Sequence, residues 1–223
     1  MSGPMVRAIL DGRKTQTRRI VKPQPSITTP NDASWRDSKC DLWRNKTQFA
    51  RDCCPYGAPG DRLWVRETWA AAVHGSYEAI TGSLSRGYYH VANPWSFAVQ
   101  YRAGYLGRND DYDGAWRTSI HMPRWASRIN LEVTGVRVER LQDINETDAI
   151  SEGIFGKTYE AQYGLPAGSV YYWGSPDKIE GGGFDTAKQC YECLWNQING
   201  TSSWAENPWV WVIDFRRLTD KRP

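Results

Sequence analysis

Between Arg13 and Arg19 the chain reads Arg13-Lys14-Thr15-Gln16-Thr17-Arg18-Arg19, which places one ammonium, two hydroxyls and three guanidiniums within seven residues. So many donors with so little apolar surface must face solvent, a carboxylate partner or an anionic ligand. We read the stretch as the edge of an anion-handling site. Cysteine is a second source of chemistry. Cys190-x-x-Cys193 could pair with Cys53 or Cys54 as a zinc site, although adjacent cysteines chelate poorly and Cys190 keeps helical register with Leu194 and Ile198, as a small core residue would. Cations also sit beside indoles, at Trp64 and Arg66 and again at Arg124-Trp125, a pairing suited to lining a groove. His74, His90 and His121 are too scattered to form a metal set or a catalytic triad.

These groups need elements to hold them. Pro4 suits a first helical turn and Gly12 a stop, so a short helix is expected over residues 5–10, followed by a strand over 17–21. The Gly60-Asp61 turn delivers a strand over 62–69, and another is expected over 97–102. The most regular strand is 129–141. Its side-chain parity shifts at Gly135, which predicts a bulge, and bulges are what let a small sheet bend until it closes into a barrel. The stretch 143–153 then holds a short acidic helix, capped by Asp143 or Asn145, with Glu152 as its last residue before the stop at Gly153. Asp185 can cap a helix over 186–199, with Cys190, Leu194 and Ile198 on its buried stripe, and the final strand is 208–218. The expected architecture is α+β, mainly β: one domain built as a small mixed β-barrel with flanking short helices. Long loop insertions are expected at about 26–59, 73–115 and 155–184.

Composition narrows the function classes. The net charge is only +3, but residues 1–66 carry thirteen Lys and Arg against six Asp and Glu, so the anion-binding potential lies at that end. Twelve Trp and twelve Tyr against five Phe favour aromatic rings with a polar edge, which suit stacking surfaces as well as cores. There is no apolar run long enough to cross a membrane, and Met1-Ser2-Gly3-Pro4 does not open like an export signal. A cytoplasmic protein without membrane partners is expected. Neither a cofactor nor a disulfide is expected.

Three landmarks stand in a recognisable order: Gly12-Arg13-Lys14-Thr15-Gln16-Thr17-Arg18-Arg19, then Gly60-Asp61-Arg62-Leu63-Trp64-Val65, then Leu141-Gln142-Asp143 through Glu152-Gly153. With them the chain resembles the ASCH family of the PUA-like superfamily. Around residues 116–141, and at Asn207-Pro208-Trp209-Val210-Trp211-Val212, it is similar to prophage-type ASCH proteins. The resemblance covers both ends of the chain and leaves out the three insertions. It implies a small β-barrel with a cleft beside the first helix that handles RNA or modified nucleosides. Some small bacterial members are N(4)-acetylcytidine amidohydrolases using a lysine, a threonine and a glutamate, and these fall on Lys14, Thr17 and Glu152. This chain is about twice as long as those enzymes, so its insertions either cover the cleft or rebuild it.

The chemistry is coherent on its own terms. Cleaving an amide on an exocyclic amine needs a nucleophile, a base and a stabiliser of the oxyanion. Thr17 could attack or orient a water. Burial and the crowd of Arg13, Arg18 and Arg19 would push Lys14 down towards a base, whereas a salt bridge to Glu152 would push it up. Arg19 would anchor a phosphate or a base carbonyl, and Trp64, Trp69 or Trp125 could stack on a pyrimidine, with Arg13 and Arg66 beside them. Two other readings use the same residues. One is a binding module for RNA or modified DNA that performs no chemistry. The other is a metal-independent ribonuclease built on Lys14 and Glu152. The partner in each case is a modified nucleoside or a single-stranded nucleic acid.

Overall fold

A computed structural model describes residues 2–25, 27–28, 33–36, 43–73, 89–90, 97–104, 116–161, 167–176 and 178–219. In chain order the elements are α1 (Gly3–Leu10), β1 (Gln16–Ile20), β2 (Ile27–Thr28), β3 (Ala33–Arg36), β4 (Trp43–Asn45), α2 (Lys46–Cys53), β5 (Arg62–Trp64), β6 (Trp69–Val73), β7 (Tyr89–His90) and β8 (Phe97–Tyr101). There follow β9 (Asn130–Arg140), α3 (Glu146–Ser151), β10 (Phe155–Tyr159), β11 (Gly168–Ser175), β12 (Lys178–Phe184), α4 (Ala187–Asn199) and β13 (Trp209–Leu218). The fold is α+β with more strand than helix.

The central sheet has the order β1-β13-β9-β5, all antiparallel. β13 lies inside it because both its faces are apolar, and Trp209 through Ile213 are all buried. The bulge expected near Gly135 is present: Asp214 opposes Gly135, Phe215 opposes Val133, and Thr134 is the extra residue. It does not close a barrel. Among the described residues β1 and β5 are the free edges of an open sheet, because one bulge in four strands coils the ribbon without bringing its ends together.

Two expected insertions turn out to be structured. Residues 26–59 contain the β2-β3-β4 sheet and α2, whose N-cap Asn45 and Gln48 form a reciprocal capping box. Trp35 stacks on Phe49 with ring centroids 4.3 Å apart, and Phe49 stacks on Trp211, so indole packing holds a segment whose polarity suggested a loop. Within residues 155–184, β10, β11 and β12 form a three-stranded antiparallel sheet, docked through Trp173 and Phe184 onto the cluster around Val210 and Val212. Much of the expected 73–115 insertion lies outside the described residues. The strand expected over 62–69 is broken into β5 and β6. The helix before Glu152 takes Asn145 as its cap, one of the two caps expected, whereas the cap of α4 is Thr186 rather than Asp185. Ile198 is 62% exposed and does not belong to the buried stripe of α4.

Candidate functional site

Lys14 is positioned by backbone. α1 ends at Leu10, Gly12 adopts φ +74°, and the N–H groups of Arg13 and Lys14 both donate to Ala8 O at 2.9 Å, which folds the chain back over the helix end. Thr15 N then donates to Ser151 O at 2.9 Å and Phe215 N donates to Thr15 O at 2.8 Å, tying the segment to the end of α3 and to β13. Glu152 caps α3, and Gly153 turns with φ +103°. A Cβ on Gly153 would lie 3.2 Å from Ala8 Cβ and 3.4 Å from Lys14 Cβ, so a glycine there lets the two segments touch.

The result is a buried ion pair. Lys14 Nζ donates to Glu152 Oε2 at 2.5 Å and to Glu152 O at 2.8 Å, and each side chain is 4% exposed. Burial pushes the lysine below its ordinary value of 10.5; Glu152 pulls it up, Arg19 and Arg18 push it down, and the downward causes prevail. Arg18, with no side-chain exposure, stands behind the carboxylate with Nη1 3.6 Å from Glu152 Oε1. It also donates to Asp148 Oδ2 at 2.8 Å and to Gln16 Oε1. Gln16 in turn donates to Asp214 Oδ1 at 2.7 Å and Asp148 Oδ1 at 3.2 Å, and Arg137 donates to Asp214 Oδ2 at 2.7 Å and Asp148 Oδ2 at 3.1 Å. This network fixes the wall of the site.

Lys14, Thr17, Arg19 and Glu152 line one cavity of about 680 Å³, within the ~300–1,000 Å³ typical of small-molecule sites. Tyr56, Tyr191, Trp195 and Trp211 supply aromatic wall. Burial first, and then the Glu152 carboxylate, push the Tyr191 phenol well above its ordinary value, so it remains a neutral donor. The cavity thus joins an ammonium, a hydroxyl, a carboxylate and a phenol to planar rings.

The other expected binding residues lie elsewhere. Arg13 does not line the cavity; it clamps the backbone beside it, donating to Gly153 O at 3.3 Å and Gly174 O at 3.4 Å with its guanidinium over the Phe155 ring. Trp64, Arg66, Trp69 and Trp125 do not line it either, because β5 lies at the sheet edge opposite β1. The two cysteine pairs do not converge: Cys190 and Cys193 pack with Val210 and Val212, whereas Cys53 and Cys54 pack with Trp35 and Trp211. Burial, then Cys193, pushes the Cys190 thiol up to about 12, far from a thiolate. Cys40 lies outside the described residues. His121 is exposed on a single helical turn.

Sequence reading missed Tyr191, Trp195 and the buried role of Arg18. The i, i+4 spacing of Tyr191 and Trp195 was a usable signal for one face of α4. The alternation of Gln16 with Arg18 placed both on one face of β1, but only the structure shows that face to be buried.

Burial works against the Asp148 carboxylate, but the Gln16 amide and the Arg18 and Arg137 guanidiniums outweigh it and hold it below the ordinary value of 3.8. A depressed carboxylate contributes stability that is present above its unfolded-state value and lost as pH falls through the folded one. Melting temperature measured from neutral pH into this acid window is therefore expected to fall in the wild type. Asp148→Asn is expected to start lower and to show a shallower acid slope.

Comparison with protein-family models, with curated proteins and with solved structures finds no match for this chain. Fold and site together define an α+β protein whose open sheet carries a basic, aromatic-walled cavity of small-ligand size. Within the described residues no helix is long and apolar enough to cross a membrane.

Proposed function

We propose that the chain is an amidohydrolase of the ASCH type, on a PUA-like scaffold, that removes the acyl group from N(4)-acylated cytidine. The observation that carries this reading is the 2.5 Å contact of Lys14 Nζ with Glu152 Oε2 at a cavity that Thr17 also lines. A buried lysine with a lowered proton affinity is a base, and its carboxylate neighbour steadies the ammonium once it forms. Thr17 attacks the acyl carbon or orients the water that does. Lys14 takes the proton released by the nucleophile. The C–N bond then breaks, and the same proton passes to the departing exocyclic nitrogen, giving cytidine. Where water is the nucleophile the free acid forms in the same step; where Thr17 is, a water that Lys14 deprotonates then cleaves the Thr17 ester and returns the proton to the threonine oxygen, so that one water is consumed either way. Among the residues that line the cavity, the Tyr191 phenol would donate to the developing oxyanion, Trp195 and Trp211 would offer planes for the pyrimidine, and Arg19 would anchor the base carbonyl or, in a nucleotide, a phosphate.

Purified protein in chelator is expected to convert N(4)-acetylcytidine to cytidine and acetate in equal amounts, followed by chromatography. An unchanged substrate would refute the reading. Salt-dependent binding of an oligonucleotide without turnover would instead favour a binding module.

A further inference from the structure

The residues set apart from the cavity form a surface of their own. Trp64 packs on the buried cluster of Trp69, Tyr101 and Met122. The guanidiniums of Arg66 and Arg124 lie 4.7 Å and 5.7 Å from the Trp64 ring centroid, and that of Arg117 lies 5.3 Å from the Trp69 ring. Trp125 meets Trp69 edge-on at 6.0 Å and is 50% exposed, while Ile120, whose carbonyl accepts from Arg66 Nη1, is 68% exposed. Among the described residues the carboxylate of this cluster is Glu67, which is buried and held by a two-point pair with Arg128 at 2.9 Å. The face therefore presents exposed cations around an exposed indole.

We propose that this surface docks a single-stranded nucleic acid. Arginines held over indoles are positioned in advance, so the exposed charges of Arg117 and Arg124 are set to meet phosphates, and a half-exposed indole offers surface to an unstacked base. A duplex hides its base faces. An acidic peptide would use the cations and leave Trp125 and Ile120 wet. An anionic bilayer would use both, but it is served by an amphipathic helix, whereas Trp125 stands on a single helical turn fixed against Trp69. The preference for a nucleic acid over other polyanions rests on the nucleoside reading of the cavity.

The test is fluorescence anisotropy of a short labelled single-stranded RNA and its DNA counterpart across a salt series. Wild type is expected to bind. Arg117→Glu with Arg124→Glu is expected to weaken binding by roughly tenfold or more and to flatten the salt slope by about two units. Trp125→Ala is expected to cost about tenfold. Arg117→Gln with Arg124→Gln, at an unchanged melting temperature, is expected to show a smaller loss, separating charge from misfolding. Lys14→Met is expected to retain strand affinity, and the double arginine variants to retain turnover of the free nucleoside. Equal affinity in wild type and the arginine variants, no binding of any oligonucleotide, or preferential binding of phosphatidylserine vesicles or polyglutamate would each overturn the proposal. Strand binding by a wild-type protein that hydrolyses no nucleoside would defeat the cavity reading and leave this one standing.

Discussion

Exchange of Lys14 for methionine is expected to lower kcat on N(4)-acetylcytidine by about 10³-fold, the usual worth of a positioned general base. KM is expected to change little, because the aromatic walls and Arg19 remain. The pH profile gives a second readout. Since the amine works unprotonated and burial holds its proton affinity below the ordinary 10.5, kcat/KM is expected to rise with pH to an inflection below that value and then level off. In Lys14→Met the rise is expected to vanish. Removing one partner of a buried pair also destabilises, by about 3–5 kcal/mol, because Glu152, 4% exposed, loses the ammonium at 2.5 Å and keeps only Arg18 at 3.6 Å. The double variant Lys14→Met, Glu152→Gln is therefore expected to melt higher than Lys14→Met while staying inactive. Substantial turnover in both would exclude Lys14 from the reaction.

Arg18→Leu carries the second large effect. The guanidinium has no exposure and holds Asp148 at 2.8 Å, so its loss takes the donor from Gln16 Oε1 and removes one of the cations that answer Asp148 and the buried Glu152. A cost of about 3–5 kcal/mol is expected, which corresponds to a fall in melting temperature of roughly 10 °C for a chain of this size. Arg18 is also one of the cations that lower Lys14. Its removal is therefore expected to move the kcat/KM inflection to higher pH. Arg18→Lys is expected to recover little, since one ammonium cannot reproduce a planar fork that spans Gln16 and Asp148. A melting temperature and a pH profile both like wild type would show that the network does not govern the site.

The strands and helices that position the site were legible because their signals are local. Gly12 and Gly153 stop helices, Gly135 shifts parity, and the final strand is apolar on both faces. The approach of Lys14 to Glu152 followed from the family resemblance, since no rule of spacing relates residues 138 positions apart. What the sequence hid was non-local. The 26–59 segment reads as a loop until Trp35 and Phe49 find Trp211, and Arg18 reads as one more surface cation until Asp148 reaches it. The aromatic and cationic residues near Trp64 were read into the cavity because residue type carries no address; only the strand order reveals that they occupy the far edge of the sheet.

Gln16 meets Asp214 across 198 positions, and β1 has no other strand partner among the described residues. During synthesis the segment bearing Lys14 therefore emerges from the ribosome long before anything exists to receive it. Pairings this distant form slowly, because so much chain must be gathered first. A nascent polypeptide halted between residues 191 and 209 would contain every proposed catalytic side chain and yet no assembled centre, so activity itself would report that translation has passed β13.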